Sequence, residues 1–193
     1  MRRLLLVLAL LGAATGALAA VAEREEIDLI NVALGPAWAN WMIGPWGRMA
    51  TDRELVEFRR LDDDAEAEAW VEAFWARRDP DPERPGNPVR QLAEQRAEEA
   101  DRRFTEGTIP GRRSDRGTVF VLYGEPEEID HESGPKVGDP VLEIWRYPKG
   151  AEAGLDGERP DRRYRFAESN GRVRFYVPGR DRRFLGGLPQ DLR

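Results

Sequence analysis

The 193-residue chain has no cysteine, a single histidine and only two lysines, Lys136 and Lys149. The missing thiol excludes disulfide frameworks, thiol catalysis, cysteine zinc sites and a lipid-modified cysteine, and leaves the redox compartment open. The lone histidine, His131, stands in the polar run Asp130-His131-Glu132-Ser133. A Ser/His/Asp hydrolase needs it as base, with Ser114 or Ser133 as nucleophile. Neither serine sits in a Gly-x-Ser-x-Gly elbow, and phosphate loops and dinucleotide fingerprints are lacking. Asp79, Asp81 and Glu83 alternate as in some calcium loops, but Pro80 and Pro82 stiffen the segment and no glycine supplies the EF-hand turn. The reading is therefore of a chain with no catalytic residue, metal site or cofactor of its own.

An excess of positive charge is also missing. With 36 Asp+Glu against 30 Lys+Arg, the net charge is -6, which argues against a nucleic-acid partner because phosphate neutralisation needs a basic face. The average conceals an asymmetry: from Arg159 to Arg193 there are ten Arg against four acidic residues. That basic end can oppose the acidic helices of the same chain or meet an anionic partner.

Long hydrophobic runs are scarce. The one near the N-terminus, Leu4 to Leu11, follows Arg2-Arg3 and precedes Gly12, Gly16 and Ala17-Leu18-Ala19. A basic start, a short apolar stretch and a small-x-small cut describe a signal peptide over 1–19, with a second cut available after Ala22. The apolar run is well short of the roughly 20 residues that span a bilayer, although an uncleaved helix to Ala22 is the alternative. Export to the periplasm or cell envelope is the expected address, with membrane contact only through that segment if it is kept.

Residues 23–50 form a Trp-rich segment with Trp38, Trp41 and Trp46, broken by Gly35-Pro36 and Gly44-Pro45. Such tryptophans are expected in a core, and the breakers hold any helix to short pieces. Thr51-Asp52-Arg53-Glu54 reads as a capping box opening a helix through Leu55, Phe58 and Leu61. Asp62-Asp63-Asp64 stops it and caps a second, with Ala67, Trp70, Ala73 and Phe74 on one face, ending at Asp79-Pro80. Asn87-Pro88 opens a third, carrying Val89, Leu92, Ala93, Arg96, Ala100 and Phe104 toward Gly107, with Glu94, Glu98, Asp101 and Arg102 facing solvent.

Thr118 to Tyr123 is a continuous β-branched and aromatic run, expected as a strand covered on both sides and ended by Gly124-Glu125-Pro126. Leu142 to Tyr147 reads as a second strand. Arg162 to Glu168 and Arg172 to Val177 flank Asn170-Gly171, a type I′ hairpin turn that pairs Phe166 with Phe175 and Ala167 with Arg174. The segments Glu125 to Pro140 and Pro148 to Asp161 are left as long polar loops. The fold class is α+β: about three N-terminal helices packed on one face of a four-stranded, mainly antiparallel sheet. The domain is placed at 51–178, followed by a basic tail at 179–193.

Several separated motifs resemble the GWxTD domain family of bacterial proteins. They are Trp41 onward with Thr51-Asp52-Arg53-Glu54; Phe74-Trp75-Ala76-Arg77-Arg78-Asp79-Pro80-Asp81-Pro82; Arg96 with Ala100-Asp101-Arg102-Arg103-Phe104; and Ser114-Asp115-Arg116-Gly117 running into Val119-Phe120-Val121-Leu122-Tyr123-Gly124-Glu125-Pro126. The naming motif reads Gly111-Arg112-Arg113-Ser114-Asp115, with arginine where the family has tryptophan and serine where it has threonine. Serine keeps the hydroxyl; arginine does not supply the same aromatic surface. The resemblance implies a fold and no reaction. The candidate binding residues are Arg112, Arg113, Ser114, Asp115 and Arg116, read either as an anion- or peptide-binding loop or as a structural corner. In that corner Ser114 or Asp115 caps a turn, Arg116 pairs with a carboxylate and Gly117 takes a backbone angle other residues resist. The expected role is a non-enzymatic interaction or structural module that meets an envelope protein. An envelope hydrolase and a module for an anionic ligand are the alternatives.

Overall fold

The computed structural model describes residues 29–178; the segment read from sequence as a signal peptide, 1–19, and the tail at 179–193 lie outside them. Among the described residues five α-helices come first: α1 Pro45–Met49, α2 Asp52–Phe58, α3 Asp64–Ala76, α4 Pro88–Phe104 and α5 Asp115–Tyr123, with a 3-10 turn at Gly111–Arg113 before α5. Four strands follow: β1 Glu128–Ser133, β2 Val141–Arg146, β3 Arg163–Ser169 and β4 Arg172–Phe175. They form one antiparallel meander in the order β1-β2-β3-β4.

Local chemistry sets the helix boundaries. Thr51 and Glu54 complete a reciprocal capping box at α2, Asp63 caps α3, and Asn87 caps α4 with Pro88 at its first position. Asn170 and Gly171 take φ of 54° and 72°, the left-handed pair a type I′ hairpin needs, and Phe166 faces Phe175 as the pattern requires. Tyr176 N–H then reaches the Arg165 carbonyl at 2.8 Å and extends that register.

The run from Thr118 to Tyr123 is a helix, not a strand. A continuous apolar stretch fits a helix buried on all sides as well as it fits a covered strand. Val119, Phe120, Val121 and Leu122 are all buried, because α5 lies between α4 and the sheet. The deciding signals are at its ends. Ser114 accepts from the Gly117 N–H at 3.0 Å, and Gly124 stops the helix at φ 78°. The fourth strand comes instead from Glu125–Pro140, read from sequence as a loop, where Glu128–Ser133 pairs along β2. Charged residues alternating with Ile129, His131 and Ser133, only one of them apolar, hid it from a hydrophobic pattern.

The main core joins α1, α3, α4 and α5 to the helix-facing side of the sheet at Trp145, Tyr147 and Phe166. Trp46 is buried in it, and Trp41 packs edge-on to Phe74 at 5.0 Å, so the Trp-rich segment belongs to the core. Arg78 stacks over the Phe74 ring at 3.5 Å and joins Arg77 on the Glu54 carboxylate. On the other face of the sheet, Leu142, Ile144 and Ala167 are buried beside Tyr176. Leu92, expected on the buried face of α4, is exposed. Asp101, expected in solvent, turns back onto Arg112.

Candidate functional site

The corner Arg112–Arg116 sits where α4, α5 and β4 meet. Gly111 makes the approach possible. A Cβ built on it would lie 1.9 Å from the Ala100 carbonyl oxygen, and one on Gly117 would lie 1.7 Å from the Gly111 carbonyl oxygen. Gly117 is thus required by backbone proximity and not by an unusual backbone angle, which corrects the sequence expectation. Within this corner Ser114 is buried: its hydroxyl donates to the Gly111 carbonyl at 2.8 Å and accepts from the Gly117 N–H.

The charged members are tied into the fold. Asp101 accepts from the Arg112 backbone N–H and from its Nε, both at 2.8 Å. Asp115 Oδ2 accepts from the Phe175 N–H at 2.6 Å. Arg116 reaches Glu143 at 3.1 Å and Glu106 at 3.4 Å over the edge of Phe104, and these two carboxylates were not foreseen as its partners. Glu106 also accepts from the Val173 N–H at 3.1 Å, and Glu143 from the Trp145 indole N–H at 2.6 Å. Arg113 differs: its side chain is half-buried and has no hydrogen bond or ion pair among the described residues, and its Nε, like that of Arg116, is buried without a partner.

At the far end of α5, Arg96 donates to the Val121 and Leu122 carbonyls, both at 3.1 Å, and satisfies the helix C-terminus. Burial pulls its guanidinium below the usual arginine range. Tyr147 donates to the Gly124 carbonyl at 2.8 Å, and burial pushes its phenol up.

Two clefts open between these elements. The larger, about 760 Å³, is lined by Arg48, Tyr123, Asp156, Tyr164, Arg165 and Phe175 among others. Tyr123 donates to Asp156 at 2.7 Å there, and burial followed by that carboxylate holds its phenol protonated. The second, about 630 Å³, lies over Glu54, Arg77 and Arg78. Asp79, Asp81, Asp115 and His131 line neither of these clefts. His131 is exposed on β1, opposite Glu143, instead of in a polar loop. Ser114 bonds to backbone only, as given above. Among the described residues no group of three or more His, Asp or Glu is placed to hold a metal, and no helix is long and apolar enough to cross a membrane.

A set of helices laid on one face of an antiparallel meander, with a glycine-serine-aspartate corner locking helix to sheet, defines a small α+β domain. The GWxTD domain model matches residues 39–155, more than half of the chain, and the chain belongs to that family. No curated protein and no solved structure matches.

Proposed function

We propose that this chain is an exported envelope protein whose GWxTD domain binds another protein without catalysing a reaction. The N-terminal Arg-Arg, apolar and small-x-small order supports the address. The observation that carries the binding role is the β1–β2 hairpin. Ile129, Val137 and Val141, all on it, are exposed by 41%, 91% and 63%, a concentration of apolar surface on one hairpin. That hairpin includes most of Glu125 to Pro140, the first of the two segments read from sequence as long polar loops. The arginine loop contributes through Arg113, whose cation has no partner among the described residues, whereas Arg112 and Arg116 hold the structure.

A photo-reactive residue in place of Val137, in the full-length protein in living cells, tests this. One discrete cross-linked envelope species is expected, absent when the probe replaces the equally exposed Val32. Equal labelling from both positions, or none, overturns the binding role. Intact mass from the envelope fraction tests the address: a mass lacking residues 1–19 or 1–22 supports cleavage, and one beginning at Met1 in a cytosolic fraction overturns export.

A further inference from the structure

The two edges of the sheet are treated differently. On β4 the outward N–H groups of Val173 and Phe175 are taken by Glu106 and Asp115, so that edge is closed. On β1 the register with β2, continued by the Gly134 N–H to the Pro140 carbonyl at 3.1 Å, directs the N–H groups of Glu128, Asp130 and Glu132 into the sheet. Those of Ile129, His131 and Ser133 face outward. All three residues are exposed, and their amides have no partner among the described residues. Alternating free donors and acceptors on an open edge form a template for another strand.

The side chains say which strand fits. Glu128, Asp130 and Glu132 lie on one face and share two guanidinium groups, Arg146 and Arg163, so carboxylates outnumber guanidinium groups along the β1 edge itself, while Arg165, Arg172 and Arg174 lie on the same face farther across the sheet. On the other face Ile129 is exposed beside Trp145. A second copy is the wrong occupant. Outward amides can pair only with outward amides, so antiparallel registers of β1 with itself set acidic positions opposite acidic ones.

We propose that β1 accepts an extended segment of a partner protein as a further strand, with basic side chains over Glu128, Asp130 and Glu132 and apolar ones beside Ile129. This rests on the interaction role above and names the chemistry of its partner.

The probe is a peptide alternating lysine and valine, with a glutamate and valine peptide as counterpart, added to the full chain while amide exchange is followed by NMR. Exchange at Ile129, His131 and Ser133 is expected to slow about tenfold or more with the lysine peptide only. The variant His131→Pro removes one outward N–H and leaves the ladder to β2 intact, so it should fold and lose the protection. If it does not fold, N-methylation of alternate peptide amides removes the same bonds from the other side. No protection, equal protection by the glutamate peptide, or protection of these amides by self-association in the absence of peptide overturns the proposal. A Val137 cross-link that survives in His131→Pro overturns strand addition and leaves the interaction role standing. Absence of that cross-link in the wild-type chain while the peptide still protects β1 overturns the binding of an envelope protein proposed above and leaves strand addition standing.

Discussion

Gly111 and Gly117 touch backbone to backbone with less room than any side chain needs, since a Cβ on Gly117 would overlap the Gly111 carbonyl. Gly117→Ala is therefore expected to cost about 3 kcal/mol or more, read as a fall in the urea midpoint, because the clash is with backbone that cannot rotate away. Gly150 is the comparison: a Cβ there meets nothing within 4 Å and its backbone is not left-handed, so Gly150→Ala should be neutral or stabilising by about 0.5 kcal/mol. Glu54 carries a different kind of constraint. Burial raises its carboxyl pKa, but hydrogen bonds from Arg78, the Thr51 backbone and Arg77 outweigh that and bring it from 4.5 to about 2. A folded-state pKa below the unfolded one gives stability that is complete above pH 4.5 and is lost as the pH falls toward 2. Allowing for solvent at the half-exposed Arg77, the loss is about 2 kcal/mol, and Glu54→Gln should flatten the slope of stability against pH in that window.

Among the elements, α5 and β1 are two whose type their own sequence does not declare. Val119 to Leu122 has strand-like composition, and the helix is imposed by Ser114 at one end and Arg96 with Gly124 at the other. Ser114→Ala removes both the cap and the bond to Gly111, with an expected cost of about 1 to 2 kcal/mol in chemical unfolding. The fold compensates for the misleading composition by burying four consecutive positions of α5, Val119 to Leu122, where apolar side chains are favoured all round the turn. β1 errs in the opposite direction: Glu128-Ile129-Asp130-His131-Glu132-Ser133 has the charge of a loop, and it pairs because β2 beside it is buried and strongly strand-forming. The β4 edge gives an element-level test. Asp115→Ala withdraws the carboxylate from the Phe175 N–H, so exchange of that amide should accelerate about tenfold while the β2 amides keep their protection.

For the molecule as a whole, the arginines divide into those that hold layers together and those that remain available. Arg116 links α5 to β2 and to the segment after α4, with its own side chain and both carboxylates largely buried. Removing it strands Glu106 and Glu143, so Arg116→Ala should cost about 3 kcal/mol in equilibrium unfolding, whereas Arg113→Ala should change stability by less than about 0.5 kcal/mol. Sequence alone determined what local chemistry controls: the three capped helices α2, α3 and α4, the β3–β4 hairpin with its Asn170-Gly171 turn, the α+β class, and the corner in which Ser114 caps and Arg116 pairs. These depend on neighbours a few residues away or on the period of a pattern. Tertiary structure decided the rest, because it depended on distant partners: α5 as a helix, Glu128–Ser133 as a strand, the carboxylates that close β4, and the open edge of β1. An apolar run does not specify its own conformation until its surroundings are known, and a charged run does not show which of its amides face solvent until a strand pairs beside it.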